Sequence, residues 1–404
     1  MGASSMHDAP HSETALITEM VGLSRRFGAD AEFVRAGGGN SSAKVDGVMH
    51  IKPSGVSLAA LTADSLIALA IQPLRDVLDD RGVGGPGSGS DEVLRVAGSA
   101  RLPPIDERRP SVELLFHALL PEPIVLHTHP TTVNTLTCSI GGAALAAQIL
   151  GDRVLWIPYT DPGLPLARAI RDARAAYEQR AGPSPRAILL QNHGLIVSGS
   201  SAREIEDRSR DVVAAIAEFG AGRSVVPWGA VDEMERSVAG EIVEALGPRI
   251  GALLTVDGRP STAVFDDSPL ALGVAGSALG RSFANGGPLT PDQIVYAGSW
   301  PLLLPTPPVD GPGAVVALEA ALAERVQRGL EPPIIVLVAG VGLFAVGLSG
   351  GQADIARTLF VDAMRIAEGA HRLGGIRPLA APDRRYIEDW EAEAYRKTVA
   401  RSSW

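Results

Sequence analysis

The sequence predicts an α/β sandwich on a largely antiparallel central sheet, followed by a smaller α+β domain. Three observations lead there. Apolar runs of strand length, such as Ile124-Val125-Leu126 and Ala187-Ile188-Leu189-Leu190, alternate with longer runs of helical spacing. Several neighbouring strand candidates are joined by turns too tight for a crossover helix, among them Asp46-Gly47 and Asn192-His193-Gly194. That favours antiparallel pairing over a doubly wound parallel sheet. Finally, 404 residues exceed one small core. The pattern breaks around 220–232, so the expected division is a disordered tail over 1–13, one domain over 14–225 and another over 226–404.

Taken in order, residues 14–27 carry apolar side chains at helical spacing and predict an opening helix. Residues 35–42 form a glycine turn, and 43–52 a hairpin around Asp46-Gly47 that ends at Pro53-Ser54-Gly55. A short helix is expected over 62–71. The stretch 82–91, GVGGPGSGSD, is a Gly/Ser loop: a surface excursion, or else a lid or intersubunit arm. Ser111 is expected to cap a helix with Glu113 in its first turn, stopped by Pro121 and Pro123. Then come a helix over 132–150, a strand over 154–158, a helix over 164–180, strands over 187–190 and 195–197, and a helix over 202–219. The second part offers strands at 252–256, 262–265, 294–297, 334–338 and 343–346. Its helices are expected near 313–329, 352–373 and 384–398.

A formal charge of -10 with no Lys/Arg cluster argues against a nucleic-acid surface. The lone Cys138 excludes an intrachain disulfide framework and a cysteine metal site, and it fits a reducing cytosol. The first dozen residues lack the apolar core of a signal peptide. The longest apolar run, 334–348, is broken by Gly340, Gly342 and Gly347, and it is shorter than the roughly 20 residues of a membrane span. A cytoplasmic protein without membrane partners is expected.

Chemistry concentrates in PSVELLFHALLPEPIVLHTHP, residues 110–130. Histidines two apart on a strand face the same side, so His127 and His129 can chelate one ion. His193 follows a buried strand and precedes a glycine that permits a turn. With the Glu113 carboxylate these make three imidazoles and one acid, a donor set suited to a divalent metal with room for a substrate. Singly, each has a plainer reading: a structural histidine pair, a turn residue, a helix-start glutamate. His50 and His371 read as structural, and His117, one turn from Glu113, reads as a hydrogen-bonded core histidine.

Five motifs stand in order: Gly38-Gly39-Asn40-Ser41-Ser42, Lys52-Pro53-Ser54-Gly55, Pro110-Ser111-Val112-Glu113, His127-Thr128-His129-Pro130 and Asn192-His193-Gly194. In this the chain resembles the class II aldolase/adducin superfamily over roughly residues 14–219. Residues 333–347, Met364 to Gly369 and Tyr386-Ile387-Glu388-Asp389-Trp390 further resemble the aldolase half of bifunctional rhamnulose-1-phosphate aldolase/short-chain alcohol dehydrogenases.

The resemblance implies a class II aldolase-like α/β/α sandwich, with Zn²⁺ or another divalent metal on His127, His129 and His193. Glu113 would be the acid/base, and Gly39, Asn40, Ser54, Gly55 and Ser111 would cradle a substrate phosphate. The implied reaction cleaves a ketose 1-phosphate, such as rhamnulose 1-phosphate, to dihydroxyacetone phosphate and an aldehyde through a zinc-stabilised enediolate. The implied assembly is a homotetramer or other homo-oligomer. Tyr159, Tyr296 and Tyr386 are candidates to protonate the aldehyde oxygen. With no Gly-x-x-x-Gly-x-Gly cofactor fingerprint, an aldolase half standing alone and no NAD chemistry are expected. The sequence departs from the family at Val112, where a second polar residue is common, and in the lengthened Gly/Ser loop. The alternatives are a sugar-phosphate 4-epimerase, which tends to carry Asp where this chain has Glu113, an oxo-acid-phosphate decarboxylase, and a non-catalytic adducin-like module. Three retained histidines weigh against the last.

Overall fold

The computed structural model describes residues 12–80, 89–105, 107–182, 184–223, 228, 234, 236–255 and 258–390. Of the expected tail, residues 1–11 lie outside this range, whereas Ser12 and Glu13 open the first helix. Helix α1 (Glu13–Ala29) is capped by the Ser12 hydroxyl, which accepts from the Ala15 N–H. Strands β1 (Asn40–Val45) and β2 (Val48–Ile51) form the expected hairpin. Asp46 and Gly47 take φ of 47° and 79°, the left-handed pair that a two-residue turn matched to strand twist requires.

Strand β3 (Ile67–Ala70) replaces most of the helix expected over 62–71: it pairs with β2, and helix α2 (Ile71–Asp79) starts where it ends. Helices α3 (Gly89–Ala100) and α4 (Leu114–Leu119) lead to β4 (Ile124–Thr128). The helix expected over 132–150 is two, α5 (Thr131–Thr137) and α6 (Gly142–Leu150). Between them the chain turns back closely enough that a Cβ on Gly142 would lie 2.5 Å from the Leu136 carbonyl oxygen. Strand β5 (Val154–Ile157), helix α7 (Leu164–Ala181), strands β6 (Ala187–Leu190) and β7 (Gly194–Gly199) and helix α8 (Ala202–Ala221) follow as expected.

The seven strands form one sheet in the order β3-β2-β1-β4-β7-β6-β5, antiparallel throughout except for β5 with β6. Apolar residues of α1, α5, α6 and α8 cover one face, and those of α2, α3, α4 and α7 the other. Strand β4 lies at the centre. Ile124 and Leu126 point into the α1/α8 core, while Val125 points into the α4/α7 core. Period two therefore turns the His127 ring toward α4, and Phe116 meets it edge-on at 5.5 Å.

The smaller domain comprises α9 (Arg236–Leu253), β8 (Thr262–Asp266), α10 (Pro269–Gly276), α11 (Ala278–Gly286), α12 (Pro291–Ala297), β9 (Leu302–Leu304), α13 (Gly311–Gln327), β10 (Ile335–Val338), β11 (Gly342–Gly347), α14 (Gly350–Arg372) and α15 (Ala381–Asp389). Its sheet runs β8-β11-β10-β9, with only β9 and β10 parallel. Two expectations fail here. The strand read over 252–256 overlaps the end of α9. The strand read over 294–297 is α12, because the Thr290 hydroxyl accepts from the Gln293 N–H and Pro291 supplies a first helical residue. Helix α14 packs on α5 and so joins the domains. The end of the helix expected over 384–398 lies outside the described residues, as does the loop over 82–88. Among the described residues no helix is long and apolar enough to cross a membrane.

Lys44 on β1 is buried and donates to the carbonyl oxygens of His117, at 2.8 Å, and of Leu120, closing the end of α4. Burial pushes its ammonium down to about 7, against about 10.4 in an unfolded chain. Between these values the unfolded chain binds more protons, so this group's contribution to stability grows with rising pH. In urea denaturation the wild type is therefore expected to gain on Lys44→Met between pH 7 and pH 9; a pH-independent gap contradicts this. A second prediction concerns Gly194, where a Cβ would sit 2.4 Å from the Thr128 carbonyl oxygen in the neighbouring strand. Backbone there cannot withdraw, so Gly194→Ala should cost about 1–3 kcal/mol in the same measurement. An unchanged midpoint would contradict it.

Candidate metal centre

His127 pairs with Asn40 on β1 and with Ile196 on β7, so its backbone is held from both sides. His129 lies just past the end of β4. His193 sits in the turn between β6 and β7, where Asn192 takes a φ of 53°. The three rings converge. The Nε2 atoms of His127 and His129 are 3.0 Å apart, and those of His127 and His193 are 3.3 Å apart.

Their outer nitrogens decide what the inner ones can do. His127 Nδ1 is 3.0 Å from the Leu195 carbonyl oxygen, which only accepts, so Nδ1 carries the hydrogen. His129 Nδ1 likewise donates to Asp292 Oδ2 at 2.5 Å. Burial pushes His127 down to about 3, against the pull of the Glu113 carboxylate, so its ring is neutral and its Nε2 bare. Bare nitrogens at this separation repel unless a cation lies among them. A tetrahedral ion with metal–nitrogen bonds of about 2.0–2.1 Å needs ligand nitrogens roughly 3.3–3.4 Å apart, close to what is found. The group His127, His129 and His193 could hold a metal ion.

Glu113 lies beside these nitrogens, its Oε2 3.4 Å from His127 Nε2 and its Oε1 3.2 Å from His193 Nε2. It directly precedes α4 instead of occupying the first turn. Ser111 does not cap α4 as expected: Glu113 itself holds the N-cap position, with no side-chain cap hydrogen bond, and the Ser111 hydroxyl accepts only from the Glu113 N–H at 3.4 Å. Burial pushes the Glu113 carboxyl up, but the neighbouring His127, His193 and His129 rings outweigh this and hold it well below the usual carboxylate range. Glu113 Oε1 is buried with no hydrogen-bond partner among the described residues.

The other carboxylate oxygen is held through a chain of fixed polarity. The Ser42 hydroxyl donates to His117 Nδ1 at 2.8 Å, His117 Nε2–H donates to Asn40 Oδ1 at 2.5 Å, and Asn40 Nδ2 donates to Glu113 Oε2 at 2.7 Å. His117 is thus a hydrogen-bonded core histidine, pushed well down by burial. Period two on β1 puts Ser42 and Asn40 on the α4 face, while Ser41 turns the other way and bonds Ser24.

Gly39, Asn40, Ser54, Gly55 and Ser111 line one cleft with Glu113, His129 and His193, while His127 is fully buried and does not line it. Two further groups in the cleft escaped sequence reasoning. Lys52 is buried, its ammonium donating to the carbonyl oxygens of Pro53 at 3.2 Å and Val56 at 2.5 Å. It stood inside a quoted motif, so a signal for it existed. Asp292 comes from the other domain, and nothing distinguishes it in sequence from an ordinary acid in a first helical turn. None of Tyr159, Tyr296 and Tyr386 lines the cleft; the Tyr386 hydroxyl donates to the Pro162 carbonyl at 3.4 Å.

Comparison with known proteins places these features. The sequence model of the class II aldolase and adducin N-terminal domain matches residues 18–216, and that of the class II aldolase second domain matches residues 327–396. An uncharacterized oxidoreductase YuxG of Bacillus subtilis (strain 168) is 23% identical over 420 positions, covering 95% of this chain; the chain spans only 58% of that protein's length. Among solved structures, the N-terminal class II aldolase domain of a conserved Thermoplasma acidophilum protein is 26% identical, covering 54% of this chain and 97% of that one at a TM-score of 0.44. An L-fuculose-1-phosphate aldolase from Thermus thermophilus is 16% identical, covering 51% of this chain and 93% of that one at a TM-score of 0.32. The first sheet with its histidine cluster falls within one matched segment and β10, β11 and α14 within the other, and the chain belongs to the class II aldolase and adducin superfamily.

Proposed function

We propose that the protein is a divalent-metal-dependent aldolase that cleaves a ketose 1-phosphate, such as rhamnulose 1-phosphate, to dihydroxyacetone phosphate and an aldehyde. The observation that carries this reading is the meeting of three imidazole Nε2 atoms beside a buried carboxylate with one unpartnered oxygen. His127, His129 and His193 would hold the ion, and an all-nitrogen set of three imidazoles favours Zn²⁺. When bound, the ion supplies positive charge that polarises a substrate carbonyl and offsets the negative charge developing beside it.

Glu113 would move the proton, which its position beside the three imidazoles supports. In the synthetic direction its carboxylate takes a proton from the carbon of dihydroxyacetone phosphate beside the carbonyl. In cleavage, the C4 hydroxyl gives its proton to solvent and the C3–C4 bond breaks, leaving its electrons on C3; that carbon then takes a proton from solvent relayed through the Glu113 carboxylate. Asn40 orients the carboxylate through Oε2, and His117 orients Asn40. Gly39, Ser54, Gly55 and Ser111 offer N–H and hydroxyl donors to a phosphate, with the Lys52 ammonium as nearby counter-charge.

The direct test is a screen of ketose 1-phosphates for aldehyde release with and without a chelator. Metal-dependent release from one of them is expected; epimerised or decarboxylated product without aldehyde release would move the reading to another reaction. His129→Ala is expected to lose bound metal and turnover together, and a metal-free variant of full activity would overturn the assignment. Glu113→Gln should retain the metal while turnover falls about 10²–10⁴-fold. Undiminished proton exchange on dihydroxyacetone phosphate in that variant would remove Glu113 from the role.

A further inference from the structure

The smaller domain reaches the supports of two of the three imidazoles through one short segment. Asp292 Oδ2 accepts from His129 Nδ1 at 2.5 Å. Three residues earlier, the Leu289 carbonyl accepts from Asn192 Nδ2 at 2.9 Å, and the Arg377 carbonyl accepts from the same amide at 2.8 Å, pinning the turn that carries His193. We propose that Asp292 is a positioning residue for the metal triad, fixing the tautomer and orientation of His129 across the domain boundary. The proposal rests on the metal reading above.

His129 needs such a partner more than His127 does. It lies beyond the last paired residue of β4, and its side chain is 12% exposed against 0% for His127. A histidine ring rotates broadly about its second side-chain torsion, and a half-turn exchanges the two nitrogens. A carboxylate accepts only from an N–H, so Asp292 selects the ring orientation and the tautomer with Nε2 bare toward the other imidazoles. Its negative charge also raises the basicity of the ring as a ligand.

Asp292 is itself firmly placed. It is the second residue of α12, started by Thr290 and Pro291, and Thr290, Asp292 and Gln293 are all buried. The Leu289 N–H donates to Gln293 Oε1 at 2.9 Å, fixing the approach to the helix. Helix α12 rests on two glycines where a Cβ would press on its side chains. A Cβ on Gly38 would lie 2.8 Å from Asp292 Oδ2 and 3.2 Å from His129 Nδ1, and one on Gly37 would lie 2.9 Å from the Tyr296 hydroxyl. The contact between the domains thus gives part of the glycine turn a reason to lack side chains.

The test is Zn²⁺ affinity of the full chain by competition with a chromogenic chelator, with the melting temperature of the metal-free protein as a folding control. Asp292→Asn keeps the size of the side chain but loses the charge, and its amide can turn a donor toward the ring. Asp292→Ala loses the partner altogether. Both are expected to weaken Zn²⁺ binding about 10–100-fold while the metal-free protein stays folded. Asp362→Asn serves as the comparison. Asp362 on α14 accepts from the Thr131 hydroxyl at 2.6 Å and pairs with Arg35 at 3.3 Å across the same boundary. It is expected to leave the affinity unchanged. Equal affinity in Asp292→Asn and wild type overturns the proposal and leaves the metal reading standing. An equal loss in Asp362→Asn also overturns it, since loosened domain contact would then be the cause. A wild type that binds no Zn²⁺ overturns both.

Discussion

Ring nitrogens of three imidazoles face one another across 3.0–3.3 Å at the end of the central strand of the larger sheet. The partners on the outer nitrogens of His127 and His129 help enforce that arrangement. Leu195 serves His127 from the adjacent strand, while Asp292 serves His129 from the other domain. The antiparallel pairing around β4 is what makes this possible. It brings Asn40, His127 and Ile196 into one row and places the His193 turn at the end of the same ladder.

Charge gives the arrangement its purpose. An ionised carboxylate out of water costs several kcal/mol unless it is paired and hydrogen-bonded. Glu113 has one good neutral donor, Asn40, and an unpartnered oxygen directed to the nitrogens. A divalent ion would meet both needs, keeping the imidazoles unprotonated and the carboxylate ionised. The neighbouring cleft offers glycine N–H groups, hydroxyls and one buried ammonium, Lys52, which suits an anionic group at one end of a substrate. The two halves of the site thus have opposite characters, proton-poor nitrogens at the metal end and donors at the other.

Features resting on local rules were legible in the sequence. The Asp46-Gly47 hairpin follows from turn chemistry, the shared face of His127 and His129 from strand periodicity, and the turn that carries His193 from its glycine. The largely antiparallel sheet followed from the same tight turns. Short elements were harder: β3 and β9 have too few residues to show a period, and the Ile-Val-Tyr-Ala of α12 reads as easily as a strand. What could not be read was the long-range part. Asp292 and His129 are 163 positions apart, and no local pattern marks one for the other. Gly38 was visible as a turn residue, but the nearest group a side chain there would meet, Asp292, lies on that distant helix.

X-ray absorption at the zinc edge of the purified, Zn²⁺-loaded protein tests the central claim most directly. Three imidazole nitrogens at about 2.0–2.1 Å, with the remaining coordination from oxygen, are predicted. A spectrum with one imidazole or none, or a protein that retains no ion after buffer exchange, would contradict it.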